Sequence, residues 1–523
     1  MRVPARQNRA RQRVAVTSSV PAPRKGWNNR DSIAAMGPDE AVILTNWFPS
    51  AAEVSHRKGS AQYVTGIGGG TPVPVETLAV YKPPSGLEKM FGFADTALYD
   101  VSATGAVGAA VVSGLTNARW KTLDVTTSGG NYMVSVNGVD KLLLYDGTSW
   151  APIDGASTPS ITGVATTSLI SATLHMERVW YIEKNSLNAW YTAAGAITGA
   201  LTKFPLGGVF KGGGYLLAQG TWTLDGGRGT NDLAVFVSST GEVAVYQGTD
   251  PASSSTWTLV GVYTIGKPIG MRCLRQLAGD LLIITTDGVI SCSQYLTTDR
   301  ASKSVALTDI IQSAVASAVT QYNTQYGWEL AFYPAGSMLI LNVPVTTSSE
   351  QYVMNTITRA WCRFTNWDAE CFAVFNDELY FGMNGEVRKA WTGTSDAGEE
   401  IQSEVLQAFN YFGNRNQQKH FTLVRPILGW DVNPAEIRIG VDVDFEIQPP
   451  AGQIAPAVNS GVLIWDVGLW GVGTWGGGIG LNKDWYSVYG VGFAGALHMK
   501  VSTAAAAISF VAYDIVFEPG GVV

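Results

Sequence analysis

Seven segments of the chain make the same move at nearly constant intervals: an apolar strand, a tight turn, a second apolar strand. The turns centre on Asp95, Gly138, Asn185, Gly241, Gly288, Gly336 and Gly385, at spacings of 43, 47, 56, 47, 48 and 49 residues. One such hairpin cannot bury its apolar face alone, so a strand-rich unit recurring every ~40–50 residues must stack on its neighbours. Radial stacking gives a β-propeller with one blade per repeat. The segment Cys371 to Trp391, CFAVFNDELYFGMNGEVRKAW, shows the pattern: alternating apolar residues, an Asn-Asp turn, a strand, then Asn384-Gly385. Asn-Gly suits a two-residue hairpin whose central residues need positive φ. A sandwich with regular hairpins is the competing architecture, but its turn signals recur at a shorter spacing of about 8–12 residues.

Three repeats run into a polar loop closed by tryptophan, at Trp150, Trp257 and Trp361. An aromatic recurring after the hairpin is expected to wedge between adjacent blades. One segment departs from the β pattern. Across residues 308–326, Ile311, Val315, Val319 and Tyr322 fall at helical spacing behind Thr308, which reads as the N-cap. The expected fold class is all-β: a β-propeller of six or seven blades, an inserted helix and an additional β-rich domain. The expected division is a basic, extended N-terminal arm over 1–27, a platform or connecting segment over 28–74, the propeller over 75–395, and a Gly/Trp-rich β domain over 396–523.

A chain of 523 residues exceeds the roughly 250–300 that one hydrophobic core supports. A propeller meets that limit by giving each pair of blades its own interface. The net charge of −7 argues against a basic surface that wraps nucleic acid and suits a surface past which a polyanion moves without sticking. No apolar run reaches the length of a membrane-spanning helix, and no apolar stretch follows the first arginines as in a signal peptide. Cys273, Cys292, Cys362 and Cys371 lack metal or disulfide-framework spacing and read as buried thiols.

No catalytic constellation emerges. The histidines, His56, His175, His420 and His498, are scattered, and neither an HExxH helix nor a GxSxG elbow is present. Asp442, Asp444 and Glu446 alternate with Val441, Val443 and Phe445, which places three acids on one strand face. That face reads as solvated or channel-lining before it reads as a calcium site. The expectation is a protein with no enzymatic activity, no cofactor and no metal. The N-terminal 25 residues hold six arginines, a lysine and no acid, so Arg2, Arg6, Arg9, Arg11, Arg13, Arg24 and Lys25 form the candidate assembly contact.

The stretches GWNNRDSIAAMGPDEAVILTNWFPS, YVMNTITRAWCRFTNWDAECFAVFNDELYFG and WDVGLWGVGTWGGG, with the closing FEPGGVV, resemble tail-hub proteins of short-tailed bacteriophages. These are the nozzle, or packaged-DNA stabilisation, proteins. The resemblance implies a propeller plus a β-rich platform or nozzle domain, and a homohexameric ring below the portal and its adaptor ring. It further implies a virion protein of the tail, made in the host bacterial cytoplasm. Its partners would be the adaptor, tail fibres or spikes, and the genomic DNA that passes transiently through the channel. In that family the hexamer continues the DNA channel and helps retain the packaged genome. No active-site residues carry over. The resemblance also leaves room for the hairpin at Asp95 to belong to the platform. A receptor-binding tail spike or fibre, or a glycan-binding or hydrolysing propeller, is the alternative reading.

Overall fold

The computed structural model describes residues 14–223, 232–295, 306–346, 348–430, 436–450, 452–454, 462–463, 474–475, 480–482 and 484–522. They form two compact units. One joins residues 58–357 to 363–397, and the other joins 1–57, 358–362 and 398–523.

The first unit is a β-propeller with seven blades. Blade 1 comprises Val75–Tyr81, Lys89–Ala94, Ala97–Asp100 and Val112–Ser113, and blade 2 comprises Lys121–Thr127, Gly130–Val136, Leu142–Tyr145 and Trp150–Ile153. Blade 3 is Leu169–His175, Arg178–Glu183, Asn188–Tyr191 and Thr202–Pro205. Blade 4 is Leu216–Thr223, Asp232–Ser238, Glu242–Gly248 and Trp257–Thr264. Blade 5 has Leu274–Leu277, Asp280–Thr285 and Gly288–Ser291, and blade 6 has Glu329–Tyr333, Met338–Pro344 and Ser349–Asn355. Blade 7 runs Cys371–Phe375, Glu378–Met383 and Glu386–Ala390, and its outer strand is Ser60–Thr65 from the start of the unit. The first strands of successive blades touch in a closed cycle, with blade 7 against blade 1.

Six of the turn centres hold positive φ: Asp95 49°, Gly138 73°, Asn185 56°, Gly241 92°, Gly288 111° and Gly385 78°. Each joins the second and third strands of its blade, so the hairpin at Asp95 belongs to blade 1 and not to a platform. Around Gly336 the left-handed residue is Ser337, φ 52°, and this turn joins the first and second strands of blade 6. The even spacing there is a coincidence. The inserted helix delays blade 6, and the turn belongs to an earlier hairpin.

Trp150 and Trp257 wedge between blades, as their positions predict. Trp150 packs edge-on against Phe91 of blade 1 at 5.1 Å between centroids. Trp257 stacks on Trp180 of blade 3 at 5.7 Å and on Tyr246 of its own blade at 5.7 Å. Trp361 likewise opens its strand, Trp361–Phe364, and is fully buried. Its carbonyl would lie 2.5 Å from a Cβ at Gly26, whose φ is +85°, so only glycine fits there. The inserted helix is Gln312–Tyr322, preceded by a 3₁₀ turn over Asp309–Ile311, with Ile311, Val315 and Val319 buried. Thr308 stands at the N-cap of that 3₁₀ turn but makes no side-chain cap hydrogen bond; its hydroxyl accepts the Val289 N–H at 3.1 Å. All four cysteines are buried free thiols.

Among the described residues the second unit holds two large sheets and a short parallel pair, Val462–Leu463 with Thr474–Trp475. In one, Ile508–Val522 pairs with Gln417–Trp430, with Val54–His56 and with Val16–Pro21, in register from Val16 opposite Phe517 to Pro21 opposite Ala512. Residues 16–21 are therefore a sheet strand and not part of an extended arm. In the other, Gly26–Trp27, Glu40–Thr45, Ile401–Gln407, Gly495–Thr503, Glu436–Val443 and Gly452–Ile454 follow in that order. The strand carrying Asp442 ends at Val443. Asp444 and Phe445 then turn at φ 48° and 70°, and Val443 bridges to Glu446, so the three acids do not share a strand face. Asp442 is buried, and Asp444 accepts the N–H groups of Phe493 and Ala494 at 2.7 and 3.0 Å. Most of the Gly/Trp tract between 464 and 479 lies outside the described residues.

Candidate ligand site in the propeller channel

A propeller's first strands line its axial channel, so polar residues on them are candidates for contact with a ligand. Between the first strands of blades 2 to 5 lies a cavity of about 1040 Å³, lined among others by Lys121, Asp124, His175, Gln219 and Asp232. A second cavity of about 150 Å³, lined by Thr77, Lys121, Arg272, Arg275, Glu329 and Phe372, shares Lys121 and Leu274 with the first. Lys121 thus stands where the two spaces meet.

Polar contacts link blades 3 and 4 across the wall of the wider cavity. The Thr173 hydroxyl donates to Gln219. His175 Nδ1 lies 3.0 Å from the Thr221 hydroxyl, which itself donates to the Leu174 carbonyl at 3.3 Å. With that hydroxyl proton committed, Nδ1–H is the donor and Nε2 keeps its lone pair. Nε2 is buried without a hydrogen-bond partner among the described residues. The ring is 2% exposed and meets Trp257 edge-on at 5.9 Å. Burial drives the His175 pKa down to about 4 against a weak pull from Asp232, so the imidazole is neutral at physiological pH. Leaving a buried acceptor unpaired costs about 1–3 kcal/mol.

The narrow cavity is charged. Arg272 pairs with Glu329 at 2.9 Å and donates to the Glu76 carbonyl at 2.7 Å and the Thr77 hydroxyl at 2.6 Å. Its guanidinium lies 5.1 Å from the centre of the Tyr326 ring. Burial works against that charge, but Tyr326 and Glu329 outweigh it and hold Arg272 firmly protonated. Glu329 also accepts the Phe372 N–H, which ties blades 6 and 7 together. Burial pushes the Tyr326 hydroxyl up to about 12, partly offset by Arg272.

The candidate assembly residues lie elsewhere. Arg2, Arg6, Arg9, Arg11 and Arg13 are outside the described residues. Arg24 donates to the Ala51 carbonyl at 3.2 Å and Lys25 pairs with Asp39 at 3.1 Å, all within the second unit. The channel residues went unnoticed in the sequence, although a signal was there. Lys121, Glu329 and the Arg272–Arg275 pair all fall at or near the start of a blade's first strand, where a repeat aligned by strand order would stack them. Among the described residues no group of three His, Cys, Asp or Glu side chains is placed to hold a metal, and no helix is long and apolar enough to cross a membrane.

No protein-family model matches the sequence, and comparison with curated proteins finds no match. Among solved structures, the chain is similar to the extracellular domain of a hybrid two-component system protein from B. thetaiotaomicron. There the TM-score is 0.39 at 9% identity over 63% of this chain, which spans only 41% of that one. Sqt1 of Saccharomyces cerevisiae gives 0.38 at 13% identity, over 67% of this chain and 96% of that one. The β-propeller domain of Cps50 (Swd1) from Myceliophteria thermophila gives 0.37 at 11%, over 61% and 100%. Likeness at this level concerns architecture and carries nothing about function.

Proposed function

We propose that the chain is a structural subunit of a bacteriophage tail: a nozzle or hub protein that forms a homohexameric ring below the portal and adaptor. In this reading the ring continues the DNA channel, helps retain the packaged genome, and anchors tail fibres or spikes. The protein resides in the virion after synthesis in the host cytoplasm, and no catalytic reaction is assigned to it. One observation carries the proposal. The propeller is inserted into a second β unit built from both ends of the chain, and most of the text resembling tail-hub proteins falls in the segments of that second unit. The rigid blade packing supports the reading, since a ring bearing internal DNA pressure needs a frame that does not yield. Antibody labelling of purified phage particles tests it. Label is expected at the tail, next to the head vertex. Label confined to fibre tips would favour a receptor-binding spike, and particles without label would overturn both.

A further inference from the structure

We infer that Lys121 and Arg275, backed by Arg272, form a binding site for a small oxyanion (a phosphate, sulfate or carboxylate group) in the narrow part of the propeller channel. The argument is one of unbalanced charge. Three cations line the cavity of about 150 Å³ with a single carboxylate, Glu329. That carboxylate is already engaged by Arg272 at 2.9 Å and by the Phe372 N–H. Two further acids adjoin residues that line this cavity. Glu76 pairs with Arg119 at 2.9 Å, and burial, reinforced by Glu76, raises the pKa of Glu370. The side chains of Lys121 and Arg275 make no hydrogen bond or ion pair with any described residue, and the favourable field at Arg275 is that of Glu329.

Such a cluster opposes its own formation. Burial, then the repulsion of Arg272 and Arg275, lowers the pKa of Lys121. Cations gathered in a confined space without counter-charge are destabilising unless something neutralises them. The chemistry of the donors selects the ligand. A guanidinium presents a planar fork matched to carboxylate and phosphate oxygens, and an ammonium adds a compact point charge. The three side chains come from two blades, since Lys121 opens the first strand of blade 2 while Arg272 and Arg275 flank the start of blade 5. The closed ring therefore fixes the spacing between them, and the site is preorganised. This inference does not depend on the tail-hub reading.

The test uses the full chain and titrates inorganic phosphate, sulfate and acetate separately by calorimetry at constant ionic strength, against wild type, Lys121→Met and Arg275→Gln. Wild type is expected to bind at least one of the three, and the preferred anion identifies the source chemistry. Each substitution is expected to weaken binding roughly tenfold or more, as loss of a charge-assisted hydrogen bond does. The anion-free variants are expected to melt no lower than wild type, because each substitution relieves like-charge repulsion and breaks no hydrogen bond or ion pair. Arg275 is exposed, so Arg275→Gln folds even if Lys121→Met does not. Failure of wild type to bind any of the three anions overturns the site, as does unchanged affinity in Arg275→Gln.

Discussion

His498 lies on the strand Gly495–Thr503, between Ile401–Gln407 and Glu436–Val443. Its Nδ1 is 3.0 Å from Asp442 and its Nε2 is 2.9 Å from Glu404, with 1% of the side chain exposed. Burial opposes a charge there, but the two carboxylates outweigh it and raise the pKa to about 9. Glu404 is lowered in turn, chiefly by the hydrogen bond to His498. An unfolded histidine titrates near ~6.5, so this contribution is whole below about pH 6.5 and is lost as pH rises through about 9. At the acid end it fades as Glu404 takes up its proton. Thermal unfolding from pH 6 to 10, read on the terminal unit, should show that decline in wild type and not in His498→Gln; parallel curves would contradict it. Trp257 offers a second test. Stacked on Trp180 and Tyr246 between blades 3 and 4, it should cost the propeller about 3–5 kcal/mol when replaced by alanine, measured by denaturant unfolding.

At the level of elements, propeller closure depends on Ser60–Thr65, which pairs with Glu386–Ala390 from Thr65 opposite Glu386 to Ser60 opposite Ala390. Gly59 precedes it and exchanges hydrogen bonds with Gly393 and Thr392 at 3.1 and 3.0 Å. A Cβ at Gly59 would fall 1.9 Å from the Ser395 carbonyl oxygen. Gly59→Ala should therefore push the closing strand out of register and lower propeller stability by several kcal/mol, whereas Gly69→Ala meets no atom within 4 Å and is strained only by its positive φ. Equal losses in the two variants would sink this account of closure. The same element explains what the sequence could and could not reveal. Hairpins are local, so the turns at Asp95, Gly138, Asn185, Gly241 and Gly385 were readable from residue type alone. The closing strand pairs across more than three hundred residues of chain and leaves no periodic trace, so the propeller appeared to begin at residue 75. Val16–Pro21 was missed as a strand for the same reason, since its partner is at the opposite end of the chain. The channel cluster leaves only an indirect trace, charges at the starts of first strands, because they converge only when the ring closes.

For the molecule as a whole, the arrangement of segments organises the account. Both ends of the chain build one β unit, and the propeller is an insertion within it. Deleting residues 1–25 removes the strand Val16–Pro21 along with the basic residues, so it should destabilise the terminal unit while leaving propeller unfolding unchanged. Deleting residues 1–13 spares that strand and isolates the role of Arg2, Arg6, Arg9, Arg11 and Arg13 in assembly; calorimetry of both truncations distinguishes the two effects. The central claim is that this protein is a ring subunit of a tail, and the mass of the native particle tests it most directly. Six copies of a 55.7 kDa chain give a hexamer of about 334 kDa, the predicted result. A trimer, the expected form of a spike or fibre, or a chain that stays monomeric at all concentrations, would contradict it.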